Sequence, residues 1–186
     1  MRLNWIKTSS DAYKAMLGLE TVLEQSGIEL PLLELVRLRA SQINGCAYCV
    51  NMHASDARRG GESEKRLQTL CVWRDTGHFS PRERAALAWT ESLTRLSSGH
   101  PDTAQYQALG EHFSEAEIVS LTLAIATINA WNRFAVGFDV QRVCSPVRPG
   151  PREQSPDGPG RRTAHHRRTC SARRTRRDAR LLRWWP

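Results

Sequence analysis

Along the first 140 positions apolar residues recur at three- and four-residue intervals. No stretch shows the strict alternation, bounded by hairpin turns, that marks a half-buried strand. From Asp11 to Ser26 the residues Ala12, Ala15, Met16, Leu19, Val22 and Leu23 share one helical face, and Gly27 stops the run. Pro31 suits the first turn of a second helix, which carries Leu32, Leu35, Val36 and Ile43 as far as Asn44-Gly45. A third runs from about Cys46 to Arg59 and is closed by Gly60-Gly61; Ser63 to Arg74 is a further amphipathic segment. Two S-x-x-E capping boxes, Ser80 to Glu83 and Ser114 to Glu117, open later helices, the first with Pro81 at its N1 position. Between them Asp102 to Phe113 reads as a shorter helix. The apolar girth of Glu117 to Phe138 predicts a central helix buried on most sides, with Asn129, Asn132 and Arg133 as its polar interruptions. The expectation is an all-α, single compact domain of about seven helices over residues 1–144.

Composition divides the chain at the end of that domain. From Ser145 to Pro186 there are 12 Arg, no Lys and three acids, a net of +9, whereas the preceding 144 residues carry a net of −1. The high pI therefore belongs to the end of the chain, and the helical body has no electrostatic footprint for nucleic acid. Ser145 to Gly160 holds five Pro and three Gly and reads as a linker; ten arginines follow between Arg161 and Arg183. Residues 145–186 are thus expected to be a disordered, basic tail. Three readings of it stay open: an arm for nucleic acid or another anionic surface, a plain extension, or a GC-rich stretch translated in an unintended frame. The N-terminal residues lack the apolar run of a signal peptide, and the most apolar stretch, Ile118 to Ile128, is too short to span a bilayer. The expectation is a cytoplasmic protein with no membrane partner, in a reducing compartment where five unevenly spaced cysteines do not form a disulfide scaffold. Cys71 and Cys144, without partners in the pattern, read as small buried hydrophobes, and His78, His100 and His112 as structural or solvated.

One stretch carries candidate chemistry. In "ELVRLRASQINGCAYCVNMH", Glu34 to His53, a glutamate is followed by C-x-x-C-x-x-x-H. On a helix Cys46, Cys49 and His53 form one stripe, and Cys49 and His53 are an i,i+4 pair. Cys46 lies at or near the helix N-terminus, where free amides and the helix dipole favour a thiolate. Asn44-Gly45 permits a sharp reversal that brings Glu34 back toward the pair. These residues can be apolar fillers, half of a zinc site, or a redox dithiol. Zinc asks for four ligands, usually from two half-sites, and no second C-x-x-C or H-x-x-H exists in the body. The dithiol fits best: a thiolate attacks, its partner thiol traps the oxidised sulfur as a disulfide, and a histidine with a carboxylate moves the proton.

Glu34, Cys46, Cys49 and His53, in the frame E-x11-C-x-x-C-x-x-x-H, resemble the alkyl hydroperoxidase D core domain of the carboxymuconolactone decarboxylase superfamily. The likeness covers most of residues 1 to 140. It implies an all-α fold that assembles into homo-oligomers and reduces organic hydroperoxides without metal or organic cofactor. It further implies that Cys49 attacks the peroxide, Cys46 resolves it, and His53 with Glu34 relays the proton. An electron donor is then required, whether a small thiol, a lipoyl group or a thioredoxin-like protein. One departure stands out. Where the family's best-known type has a second histidine between the cysteines, this chain has Tyr48, whose side chain ordinarily titrates near about 10 and shuttles protons poorly at neutral pH. That raises one alternative to peroxidase turnover, general disulfide reduction or redox sensing; the wider superfamily supplies another, a lactone decarboxylase-like activity.

Overall fold

A computed structural model of the protein describes residues 1–140, and all regular elements among them are helical. They are α1 (Trp5–Thr8), α2 (Ser10–Glu24), α3 (Leu30–Ile43), α4 (Ala47–Arg59), α5 (Glu64–Thr69), α6 (Pro81–Thr94), α7 (Thr103–Gly110) and α8 (Glu115–Gly137), with 3-10 turns at Leu70–Asp75 and Leu96–Ser98. The seven expected helices are present, and the eighth is the short α1. The linker and basic tail read from Ser145 onward, and Cys144, lie outside the described residues. Among the described residues no single helix is long and apolar enough to cross a membrane.

The chain organises around α3. Ten consecutive residues, Leu32 to Ser41, are buried, so this helix has no solvent face over its middle turns. One side, with Leu32, Leu33 and Val36, packs into an apolar cluster with Trp89 of α6, Leu109 of α7 and Leu121 and Ile125 of α8. The opposite side, with Leu35 and Leu38, enters a second cluster with Ala57 of α4, Leu70, Trp73 and Phe79. Each fully buried leucine contributes about 1.5–3 kcal/mol of transfer free energy.

As the apolar girth predicts, α8 is buried on most sides, packing against α2, α3 and α6, with Val119 and Val136 left exposed; α3 is the helix buried all round. Glu34, Arg37 and Arg39 disguise α3 as amphipathic, because they are neutralised inside the protein rather than by water. The face of α2 is likewise shifted: Met16 and Leu23 are buried as expected, but Val22 is exposed and Glu20 points inward. Cys71 is exposed rather than a core filler, because it sits on the outer side of the 3-10 turn whose Leu70 and Trp73 face inward.

Both capping boxes form. Ser80 and Glu83, and Ser114 and Glu117, exchange side-chain and backbone hydrogen bonds at the starts of α6 and α8. Arg82 ties these starts together, reaching Glu117 at 2.6 Å and Glu29 at 3.2 Å while lying over the Phe113 ring. The backbone amide of Ser114 and the Arg82 guanidinium hold the Glu117 carboxyl down at about 2. This stabilisation is fully present above the unfolded carboxylate value, about 4.3, and is lost as pH falls. Glu117→Gln should therefore be less stable than the parent at neutral pH. In thermal melts across the acid range the two should converge as pH approaches 2; a gap that persists at the acid end would assign the loss to packing.

Candidate active site

The turn between α3 and α4 determines where the cysteines sit. Gly45 adopts φ +65°, a left-handed conformation that glycine enters without a Cβ penalty. It lets the Gly45 amide donate to the Gln42 carbonyl and the Cys46 amide to the Ser41 carbonyl, the paired bonds of a Schellman ending. Cys46 then serves a second purpose as the N-cap of α4, its Sγ accepting from the Cys49 amide at 3.2 Å. One residue thus ends one helix motif and begins the next, which places its sulfur against the first turn of α4. Cys46 and Cys49 are joined there as a disulfide, each residue only 2% exposed.

The turn is held from behind by α8. Asn44 donates to Asn129 Oδ1 at 2.9 Å and to Asn132 Oδ1 at 2.8 Å. Asn132 in turn donates to Ser41 Oγ at 3.1 Å, and Asn129 to Thr94 Oγ1. The two asparagines that interrupt the apolar last helix are therefore supports of the cysteine turn. Arg133 donates to the Asn129 carbonyl one turn earlier, well before the final turn of α8, so it is not a C-terminal cap.

Glu34 and His53, named from the motif, meet directly. His53 is 0% exposed, one turn beyond Cys49, and its Nδ1 lies 2.9 Å from Glu34 Oε2. This contact fixes the ring and turns Nε2 away from Glu34. The other Glu34 oxygen accepts from Arg37 Nη1 at 3.0 Å. Arg37 also donates from Nη2 to Glu20 Oε2 at 2.7 Å, and Trp131 Nε1 donates to Glu20 Oε1 at 2.8 Å. A buried chain thus runs from Trp131 of α8 through Glu20 of α2 and Arg37 and Glu34 of α3 to His53 of α4. Burial pushes the Glu20 carboxyl above its ordinary value, against the pull of Arg37 and of the Trp131 hydrogen bond. Two carboxylates, Glu20 and Glu34, share the one Arg37 guanidinium.

Glu20, Arg37 and Trp131 are the members that motif reading missed. Their signal was weak: Glu20 lies i,i+4 from Met16, a charge interrupting an apolar face, and only the fold brings it to Arg37. Tyr48, between the cysteines, is buried. Asp56 is a further buried acid, and its ligand-type atoms lie within 4.8 Å of those of Glu34 and His53. Both carboxylates of this trio are already engaged by guanidinium groups, Glu34 by Arg37 and Asp56 by Arg59.

Residues 10–92 match the carboxymuconolactone decarboxylase family. The uncharacterised protein YdfG of Bacillus subtilis (strain 168) is 38% identical over 137 residues, which make up 74% of this chain and 93% of that protein. The chain belongs to the carboxymuconolactone decarboxylase family. Within the family, a crystal structure from Agrobacterium tumefaciens superposes with a TM-score of 0.73 and 42% identity, covering 75% of this chain and 96% of that one. It is a protein of unknown function suggested to be the antioxidant defence protein AhpD. The debrominase Bmp8 shares the fold at a TM-score of 0.67 and 23% identity, with 73% of each chain covered.

The buried chain predicts two different outcomes. Arg37→Met leaves two buried carboxylates facing each other and should cost about 3–5 kcal/mol in urea unfolding. Glu20→Gln removes the competing charge and should cost less. Because the folded state binds a proton at Glu20 more tightly than the unfolded chain does, this group's contribution falls as pH rises past the ordinary carboxylate range. The Gln variant should lack that fall. Equal losses in both variants, with unchanged pH profiles, would mean that the cluster acts through packing alone.

Proposed function

We propose that the protein is a thiol-dependent peroxidase that reduces organic hydroperoxides through a Cys46/Cys49 dithiol–disulfide cycle. The observation that carries this reading is the pairing of a cystine at a helix N-cap with a buried histidine oriented by a carboxylate one turn away. In the reduced protein His53 Nε2 takes the Cys49 proton, with Glu34 stabilising the imidazolium. The Cys49 thiolate attacks the terminal peroxide oxygen, the O–O bond breaks, and the departing alkoxide takes the proton from His53 as an alcohol. Cys49 is left as a sulfenic acid. Cys46 then attacks that sulfur, releasing water and forming the disulfide, so that two thiols and one hydroperoxide become one disulfide, one alcohol and one water.

Completing the cycle takes two electrons from an external dithiol or thiol pair. With both cysteines 2% exposed, a slim donor such as a small thiol or a lipoyl arm suits this site better than the broad face of a thioredoxin-like protein. We extend the reading to a homo-oligomer, for which the exposed Val22, Val119 and Val136 supply apolar surface. Tyr48 favours a second reading, disulfide exchange without peroxide turnover, because the residue between the cysteines is a buried phenol rather than an imidazole.

Reduced protein given one equivalent of an organic hydroperoxide should lose two thiols and about 2 Da, and the Cys49→Ser variant should lose neither. Under steady-state conditions His53→Ala should slow consumption roughly a hundredfold to ten-thousandfold. Unchanged thiols in the parent, together with rapid reduction of a model disulfide, would instead assign the exchange role.

A further inference from the structure

A second polar cluster lies on the α6 side of α3, built on Glu91. This carboxylate is buried and accepts from Arg39 Nε at 2.7 Å, from Trp73 Nε1 at 3.0 Å and from Arg74 Nη1. The guanidinium of Arg95 lies 3.8 Å away. Burial works against the Glu91 charge, but its hydrogen bonds from Arg74, Trp73 and Arg39 outweigh it and hold the carboxyl below its ordinary value. Among the described residues Glu91 is the carboxylate within ion-pair distance of all three arginines, so three positive charges face one negative.

Arg39 and Trp73 are sufficient to satisfy a buried carboxylate. Arg74 and Arg95 add cations that are about half exposed, and each guanidinium brings five N–H donors of which Glu91 accepts few. Arg74 is also held flat over the Trp73 ring, 4.2 Å from its centroid, so its fork is already oriented. Like charges gathered this closely repel one another unless an anion sits among them. The two arginines open onto a hollow of about 270 Å³, whose remaining wall is formed by Ser92, Ser98, Gly99 and His100. Ser92 Oγ is engaged with Gln105 at 2.8 Å, and the Ser98 hydroxyl and the His100 ring are the other polar side chains of the rim.

We propose that this hollow is a binding site for a small doubly charged oxyanion, a phosphate or dicarboxylate group, gripped by the forks of Arg74 and Arg95 above the Glu91 carboxylate. The two surplus cations set the charge of the ligand, and the volume holds such a group with a short body attached. The site is separate from the cysteine turn and does not depend on the redox reading.

The full-length protein is to be titrated with inorganic phosphate and, separately, with malonate, using sodium chloride of equal ionic strength as the control. The melting temperature should rise saturably with at least one oxyanion and not with chloride. In amide NMR spectra the shifts should centre on Ser98, Gly99 and His100. Arg95→Gln, at an exposed helix end outside both apolar clusters, should weaken the apparent affinity tenfold or more with folding intact, and Arg95→Lys should keep part of it. Tighter binding of phosphate would identify a phosphoryl ligand, and tighter binding of malonate a carboxylate one. The proposal is overturned if neither oxyanion exceeds the chloride control, if the shifts centre elsewhere, or if Arg95→Gln binds as the parent does.

Discussion

The guanidinium of Arg37, shared between Glu20 and Glu34, is the contact on which the interior depends. A helix can be buried on every side only if its polar residues are satisfied by protein, and α3 carries a glutamate and two arginines within its buried run. Removing charge from water is costly, and the cost is met only when each ion has well-placed partners. Glu34 and, from α2, Glu20, itself held by the Trp131 indole of α8, supply these for Arg37, while Glu91 from α6 supplies them for Arg39. The same bonds that make α3 tolerable as a core helix therefore fix its neighbours around it. Glu34 is held between Arg37 and His53 as a result, and the chemistry of the cysteine turn inherits its geometry from the core.

Much of this was readable from the residues. Helix starts were legible because the capping boxes and Pro81 act locally, and the C-x-x-C-x-x-x-H stripe because i,i+3 and i,i+4 neighbours meet on any helix. The reversal at Asn44-Gly45 was legible for the same reason. What failed were inferences about the far side of each helix. Hydropathy cannot tell a solvated arginine from one neutralised by a distant glutamate, so the burial of α3 on every side was not legible, whereas that of α8 was. Glu20, Arg37 and Trp131 are 17 and 111 residues from their partners along the chain. Asn129 and Asn132 were noticed as polar interruptions, but their partner Asn44 lies more than 80 positions away.

Two polar systems flank α3, one based on Arg37 and the other on Arg39, and their charge balances are opposite. Around Arg37 two carboxylates, Glu20 and Glu34, face one guanidinium. Around Glu91 the bases outnumber the acid, which suits holding an anion. Residues two apart on a helix point to different sides, so a single element can maintain both environments without mixing them.

The disulfide is tied between residues three apart, and the ring it closes is almost as short as a protein ring can be. In the chain-entropy account a cross-link of that span removes only about 2 kcal/mol from the unfolded ensemble, less than half of what a ring of a hundred residues would remove. Neither of its cysteines is a member of either apolar cluster. The architecture of the described residues therefore rests little on this bond.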